Sequence, residues 1–373
     1  MRRTSLVLIV LALVIGVTVW SRSGGGRPVI GFAYTQPSAP YLDLARAALA
    51  ERGTPSPLFV FDSGAVTETS DDAIALATRF AARPDIAIVV GPSNSRHALA
   101  TAPAYNAAGL PHLIPSATSR RLRNAGAATF TLAPDDSIEG EFLARFAWQD
   151  LRARKALLFY VNDEYGEGLR AGIVSSFAAQ GGEVLESVPL GSEMDVPTLM
   201  TATLRRHHPD VIFAAVRSHE TGLILRAIHD ARSLLPVVAG DGAYLPAQLE
   251  RASGGDLTGL FVLAFWVYDS TDPAHRAFAE RVRRILGAEP TPEDALTEDA
   301  LVLATVARRA AGPDRAAVRR WLAGLGHDRP PFRGITGSIS FGPARELPLT
   351  MVRFRDGRAE RVGRSLVAPP PAP

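Results

Sequence analysis

The sequence has no cysteine and only one lysine, Lys155, in 373 residues. Without cysteine there is no disulfide framework and no thiol to carry a lipid anchor. No G-x-x-x-x-G-K-[ST] phosphate loop is present, and Lys155 stands outside any such pattern. The nearest approach to a G-x-S-x-G nucleophile elbow, Gly91-Pro92-Ser93-Asn94-Ser95, lacks the closing glycine. The eight histidines show no H-E-x-x-H or comparable metal spacing. His207 and His208 adjoin at the end of an expected helix, where capping or solvation accounts for them. The acidic residues are too scattered along the chain to name a general acid–base pair. The formal net charge is +2, but Arg2, Arg3 and Arg22 precede the expected mature start, leaving the remainder near −1. Such a body does not read as a nucleic-acid binder. These absences count against an enzyme, a metal site and a nucleic-acid partner, and they call for no cofactor.

What is present starts with a targeting segment over residues 1–26. Arg2 and Arg3 precede Leu6 to Trp20, 15 mostly apolar residues. As a helix this run reaches roughly 22 Å at 1.5 Å per residue, short of a hydrocarbon core of about 30 Å. The segment reads as a signal peptide, with an uncleaved N-terminal anchor as the alternative, so the chain is expected in the periplasm or another extracytoplasmic space.

From Val29 the pattern alternates short apolar strands with helices. Val29 to Tyr34, Leu58 to Phe61 and Ile86 to Val90 read as strands, with helices over Tyr41 to Glu51 and Asp71 to Ala82. A second alternation runs from Ile138 to Phe265, then a mainly helical stretch to Leu325, then apolar stretches at Gly337 to Phe341 and Leu349 to Phe354. Strand–helix alternation of this kind implies α/β architecture with parallel sheets. The length fits two domains of ordinary size. Residues 364–373, with a proline-rich end from Ala368, are expected to form a disordered tail.

The stretch Gly91 to Thr118, GPSNSRHALATAPAYNAAGLPHLIPSAT, carries the most information. A buried strand precedes it, and Ser93, Asn94 and Ser95 offer N-cap oxygens to an alanine-rich helix that Gly109 closes. Pro111 to Ile114 is then a second short strand, breaking into the loop Pro115-Ser116-Ala117-Thr118. In a parallel sheet both loops emerge at the carboxyl ends of strands, where such sheets bind ligands. A helix N-terminus with hydroxyls beside it suits an anion, and a carboxylate fits without any basic side chain.

This stretch resembles the corresponding segment of the periplasmic leucine/isoleucine/valine-binding proteins without a gap, in its Gly-Pro opening, helix-start serines, Tyr105-x-x-x-Gly109 and closing proline-x-alanine-threonine. The resemblance implies the type I periplasmic binding fold: two doubly wound parallel-sheet lobes joined by a three-crossing hinge. It places lobe one at 27–134 plus 268–337 and lobe two at 135–267 plus 338–363, with crossings near Ala133–Asp136, Phe265–Asp269 and Thr336–Phe341. Carried over residue by residue, it implies that Ser95 and Thr118 hold a carboxylate, and that Asp241 and the Ser116 carbonyl hold an ammonium. Tyr41 would stand over the ligand, and Tyr165, in Glu164-Tyr165-Gly166-Glu167-Gly168, would close on it from lobe two.

Arg217 departs from the family's usual aromatic or small residue, so it either faces the cleft or is an ordinary surface arginine. Trp266 either walls the pocket or packs the hinge. A carboxylate at Asp241 inside a closed cleft needs a cation, which either a ligand ammonium or Arg217 would supply. The implied function is a monomeric solute-binding protein that delivers an amino acid or small carboxylate to an ABC permease of the inner membrane. A ligand-sensing module of the same fold and a hydrolase or transferase on a doubly wound scaffold are the alternatives.

Overall fold

The computed structural model describes residues 29–34, 38–53, 69–191, 194–342, 347–355 and 358–368. The targeting segment, the strand expected at Leu58 to Phe61 and residues 369–373 lie outside these.

Four short strands, β1 (Val29–Phe32), β2 (Ile86–Val90), β3 (His112–Ile114) and β4 (Thr129–Thr131), form a parallel sheet in sequence order. Every residue of β2 is buried, as a continuous apolar run in a doubly covered parallel sheet must be. Helices α1 (Ser38–Glu51), α2 (Ser70–Ala82) and α3 (Ser95–Ala107) connect or flank these strands. Of the three candidate caps on α3, Asn94 is the one used: its side chain accepts from the His97 amide at 2.9 Å. Gly109, at φ +58°, then turns the chain into β3, a backbone region that favours glycine.

The second sheet has seven strands in the order β13-β12-β9-β8-β7-β5-β6. Its parallel part comprises β5 (Lys155–Val161), β6 (Glu183–Leu190), β7 (Val211–Ala215), β8 (Val237–Ala239) and β9 (Leu260–Ala264). Helices α4 (Asp136–Gln149), α5 (Glu164–Ala179), α6 (Val196–Arg206), α7 (Ser218–Asp230) and α8 (Pro246–Ser253) belong to this lobe. The chain then returns through α9 (Pro273–Leu286), α10 (Pro292–Ala311) and α11 (Arg315–Ala323). Of these, α9 and α10 pack on α1, and α10 and α11 pack on β2. A two-stranded ribbon, β10 (Phe332–Arg333) with β11 (Ser338–Ile339), precedes the last passage to the large sheet.

That sheet ends in an antiparallel hairpin, which the parallel alternation did not anticipate. β12 (Leu347–Arg355) runs antiparallel to β9, and β13 (Arg358–Ala368) antiparallel to β12. Residues 364–368 therefore belong to a paired strand and not to a disordered tail. An edge strand has only one face to bury, so its polar composition hides it. Arg353 and Glu360, opposite each other in the register, pair at 3.0 Å.

Helices α4 and α5 meet backbone to backbone. A Cβ at Gly140 would lie 2.3 Å from the Gly172 carbonyl carbon, and one at Gly172 would lie 2.4 Å from the Asp136 carbonyl oxygen. This contact sets the first turn of α4 against α5, whose own first turn carries Tyr165. Gly140→Ala forces the helices apart and should cost about 1–3 kcal/mol, the usual range for overpacking. A urea midpoint equal to that of the wild type would show that the helices are not in close contact.

Candidate functional site

A cavity of about 350 Å³ lies between the two lobes. The loops after β2 and β3 supply Ser93 to Ser95 and Ser116 to Thr118 from one side, and Tyr165, Arg217, Asp241 and Gly242 face them from the other. Both sets stand at the carboxyl ends of parallel strands. Leu263, Ala264 and Phe265 line the cavity where β9 leaves the large sheet, and Pro292, Glu293 and Leu296 from α10 complete the wall.

One end is built for an anion. The N-terminus of α3 points into it, with only the His97 amide taken by the Asn94 cap. Ser95 is buried, and its Oγ accepts from the Thr118 amide at 3.3 Å and the Ser119 amide at 3.2 Å. A hydroxyl that accepts twice keeps its hydrogen to donate. Thr118 Oγ1 is buried and makes no hydrogen bond of ordinary geometry, whereas Ser116 Oγ donates to the Ser93 carbonyl at 3.3 Å. The pair expected for a carboxylate thus lies side by side, with hydroxyl capacity to spare.

The opposite end is acidic. Asp241 sits in the turn after β8, and its Oδ1 is out of contact with solvent and without a partner. Flanking glycines let the turn press on Tyr165: a Cβ at Gly240 would lie 2.7 Å from the Tyr165 hydroxyl, and one at Gly242 2.9 Å from it. The Gly242 amide donates to that hydroxyl at 3.1 Å. Nearby, Asp136 and Glu139 from the first turn of α4 are 1% and 0% exposed, and none of their four carboxyl oxygens has a hydrogen-bond partner. The N-terminus of α4 favours negative charge there, but burial works against ionisation. Burial pushes Asp136 up to about 8 and Asp241 up to about 6. It raises Glu139 well above the usual carboxylate range, with Asp241 close by adding to the effect. Across the cavity Glu293 is pushed up to about 7, again by desolvation first and by the neighbouring Asp294 second.

Arg217 lines the cavity, yet it does not answer Asp241. Its Nη2 donates to Asp163 Oδ2 at 2.6 Å, and its guanidinium lies 5.7 Å from the centre of the Tyr165 ring. Asp163 also caps α5, where its Oδ1 accepts from the Tyr165 and Gly166 amides at 3.1 Å each. The same helix start ties the lobes together. Ser119 Oγ and Arg121 Nη1 donate to the two oxygens of Glu164 at 3.1 and 2.9 Å, and Arg96 lies 3.6 Å from Asp163.

One expected placement differs. Tyr41 does not line the cavity; it packs on Tyr34 at 4.9 Å between ring centres, and its hydroxyl donates to Asp294 Oδ1 at 3.0 Å. A buried phenol follows its nearest strong acceptor, and Asp294 is 253 residues away in sequence. Trp266, left open between the pocket wall and packing at the hinge, does not line the cavity; its indole donates to His275 and packs edge-on to Phe278. Asp136, Glu139 and Glu293, which the sequence reading did not single out, converge with the expected Asp241 at or close behind the cavity wall. A partial signal existed for α10, where Thr291-x-x-Asp294 forms a capping box that fixes Glu293 in the first turn. Among the described residues no cluster of His, Asp and Glu is placed to hold a metal ion.

The raised carboxyls make a testable demand on pH. Each holds its proton in the folded state at pH values where the unfolded chain, titrating near about 4, has released it. Their contribution to stability is therefore full below about pH 4 and is lost as pH rises through about 6 for Asp241, 7 for Glu293 and 8 for Asp136. The thermal midpoint of the ligand-free protein should fall between about pH 5 and 8, and Asp136→Asn should flatten the upper part of that slope. A midpoint independent of pH across this range would contradict the assignment.

Comparison with known proteins agrees with this geometry. The family profile described as periplasmic binding protein matches residues 43–356. The Leu/Ile/Val-binding protein BraC3 of Rhizobium johnstonii is 25% identical over 234 residues, 62% of this chain and 61% of that protein. The matched region thus spans about three fifths of that relative's length. The leucine-binding protein LivK of Thermotoga maritima superposes with a TM-score of 0.78 at 21% identity, covering 90% of this chain and 97% of that one. LivJ of Streptococcus pneumoniae, solved with isoleucine, gives 0.79 at 20% identity, covering 92% and 100%. A solute-binding protein of R. palustris, solved with benzoate, gives 0.75 at 18% identity, covering 93% and 98%. With a family match across most of its length and two parallel-sheet lobes around a cleft, the chain belongs to the periplasmic binding protein family.

Proposed function

We propose that this chain is an exported, non-enzymatic solute-binding protein that captures an amino acid between its lobes and hands it to an ABC importer. The observation that carries the reading is the polarity of the cleft. One end offers a helix N-terminus, the Ser95 hydroxyl hydrogen and the Thr118 hydroxyl, which has Asp136 beside it. The other offers Asp241 with an unpartnered oxygen. A zwitterion with a carboxylate and an ammonium complements both ends, and charge-assisted hydrogen bonds in a closed cleft are strong and directional.

The pairing of Arg217 with Asp163 supports an ammonium over a plain acid, because Arg217 then acts on Asp241 only from a distance and Asp241 has no ion-pair contact among the described residues. The benzoate-bound relative shows that plain acids occupy this fold elsewhere, so the acidic end is what separates the two ligand classes. Contacts of Ser119 and Arg121 with Glu164 across the mouth support closure, since such bonds form only when the lobes meet. The basic and apolar residues 1–26 support export. Among the described residues no helix is long and apolar enough to cross a membrane.

Calorimetry on two variants tests the reading. Ser95→Ala combined with Thr118→Ala should weaken amino-acid binding at least about a hundredfold, since each hydrogen bond to a charged group is worth about 1.5–3 kcal/mol. Asp241→Asn should cost about 2–5 kcal/mol, as truncating one member of a buried charge pair does. Full affinity in both variants, or a best ligand without an amine, would sink the amino-acid reading.

A further inference from the structure

The wall of the cavity contributed by α10 carries a charge that capture of a simple apolar amino acid does not require. Glu293 lies in the first turn of α10 and lines the cavity together with Pro292 and Leu296 of the same helix and Leu263 and Phe265 at the large sheet's edge of the cavity. Its position is fixed by the elements behind it. Asp294 Oδ2 accepts from the Thr291 amide and hydroxyl at 2.8 and 2.7 Å, closing the capping box, and Asp294 Oδ1 accepts from Tyr41. Tyr34 donates to Glu293 Oε1 at 3.2 Å. The second oxygen, Oε2, has no hydrogen-bond partner, and no Arg, Lys or His pairs with Glu293 among the described residues.

Two charges of the same sign therefore line one cavity from opposite lobes, Asp241 and Glu293, with Asp136 and Glu139 near the first. The single basic residue in the lining, Arg217, is held by Asp163. One ligand ammonium answers Asp241 and leaves Glu293 unanswered. An apolar ligand side chain would then strip water from a carboxylate and give nothing in return, which is costly.

We propose that Glu293 is a specificity-determining residue that selects amino acids whose side chain ends in a cationic, hydrogen-bond-donating nitrogen, the basic amino acids. The proposal rests on the amino-acid reading of the cleft and adds the class of side chain. The ligand stem lies along Leu263, Phe265 and Leu296, and its cationic end donates to Glu293 Oε2 while Tyr34 holds Oε1. Long basic side chains suit this wall because they bury an aliphatic stem and present a charged head. Desolvation pushes the Glu293 carboxyl up to about 7 in the ligand-free protein, and a cation at Oε2 would reverse that shift.

The test is calorimetry on the ligand-stripped, full-length mature protein with L-lysine, L-arginine, L-leucine and benzoate, for wild type, Glu293→Gln and Glu293→Leu. Glu293→Gln keeps the shape and the Tyr34 hydrogen bond, so it guards against loss of fold. Lysine or arginine should bind wild type at least about tenfold more tightly than leucine, and Glu293→Gln should lose at least about tenfold of that affinity. Glu293→Leu should bring leucine level with or ahead of the basic pair. Leucine preferred by wild type, or a preference unchanged in Glu293→Gln, would overturn the role of Glu293 and leave the amino-acid reading in place. Binding of benzoate with none of the three amino acids would overturn both.

Discussion

Carboxyl groups set in or behind the cavity wall without an ion-pair partner among the described residues are the constraint around which this cleft is arranged. Asp136 and Glu139 stand at the start of α4, Asp241 in the turn after β8, and Glu293 at the start of α10. Elsewhere, among the described residues, the buried carboxyls are answered. Arg281 lies between Glu51 and Glu298, and Asp299 accepts from the Ile335 and Thr336 amides and the Thr336 hydroxyl. The cleft is where that rule lapses, and a functional site is where an uncompensated cost of this kind is expected. The ligand completes the electrostatics that folding leaves open.

The rest of the architecture serves that arrangement. The glycine contact between α4 and α5 sets Asp136 and Glu139 close to Tyr165, and Gly240 and Gly242 let the Asp241 turn lie against the same ring. Asp163 does three things at once: it caps α5, restrains Arg217 and lies near Arg96 across the cleft. By occupying Arg217 it keeps the acidic end free for a ligand. Glu164, the next residue, joins the lobes through Ser119 and Arg121, so the same turn that positions the binding tyrosine also senses closure.

The anion end was legible from the sequence because its information is local. Gly91 to Thr118 places strand, cap, helix and loop within 28 residues, and each is read from turn and cap chemistry. Of the acidic end only Asp241 was legible, and that through the family resemblance. Asp136, Glu139, Asp241 and Glu293 are separated by up to 157 positions and come together only through the crossings between lobes. Tyr41 was misplaced for a related reason: a tyrosine after a strand points to the cleft or to a distant carboxylate equally well, and Asp294 decided it. The edge strand β13 escaped notice because three arginines and a glutamate interrupt it where a core strand would be apolar.

Proton release on binding probes this account most directly. At about pH 7 the carboxyls raised by desolvation are partly protonated, and a ligand cation among them must expel protons. Calorimetric titration of an amino acid in buffers of different ionisation enthalpy measures that number. The account predicts a net release of protons to the buffer near pH 7, reduced in Asp136→Asn. Binding with no proton exchange, or with uptake, would contradict the view that the ligand's positive charge satisfies the carboxyls of the cleft.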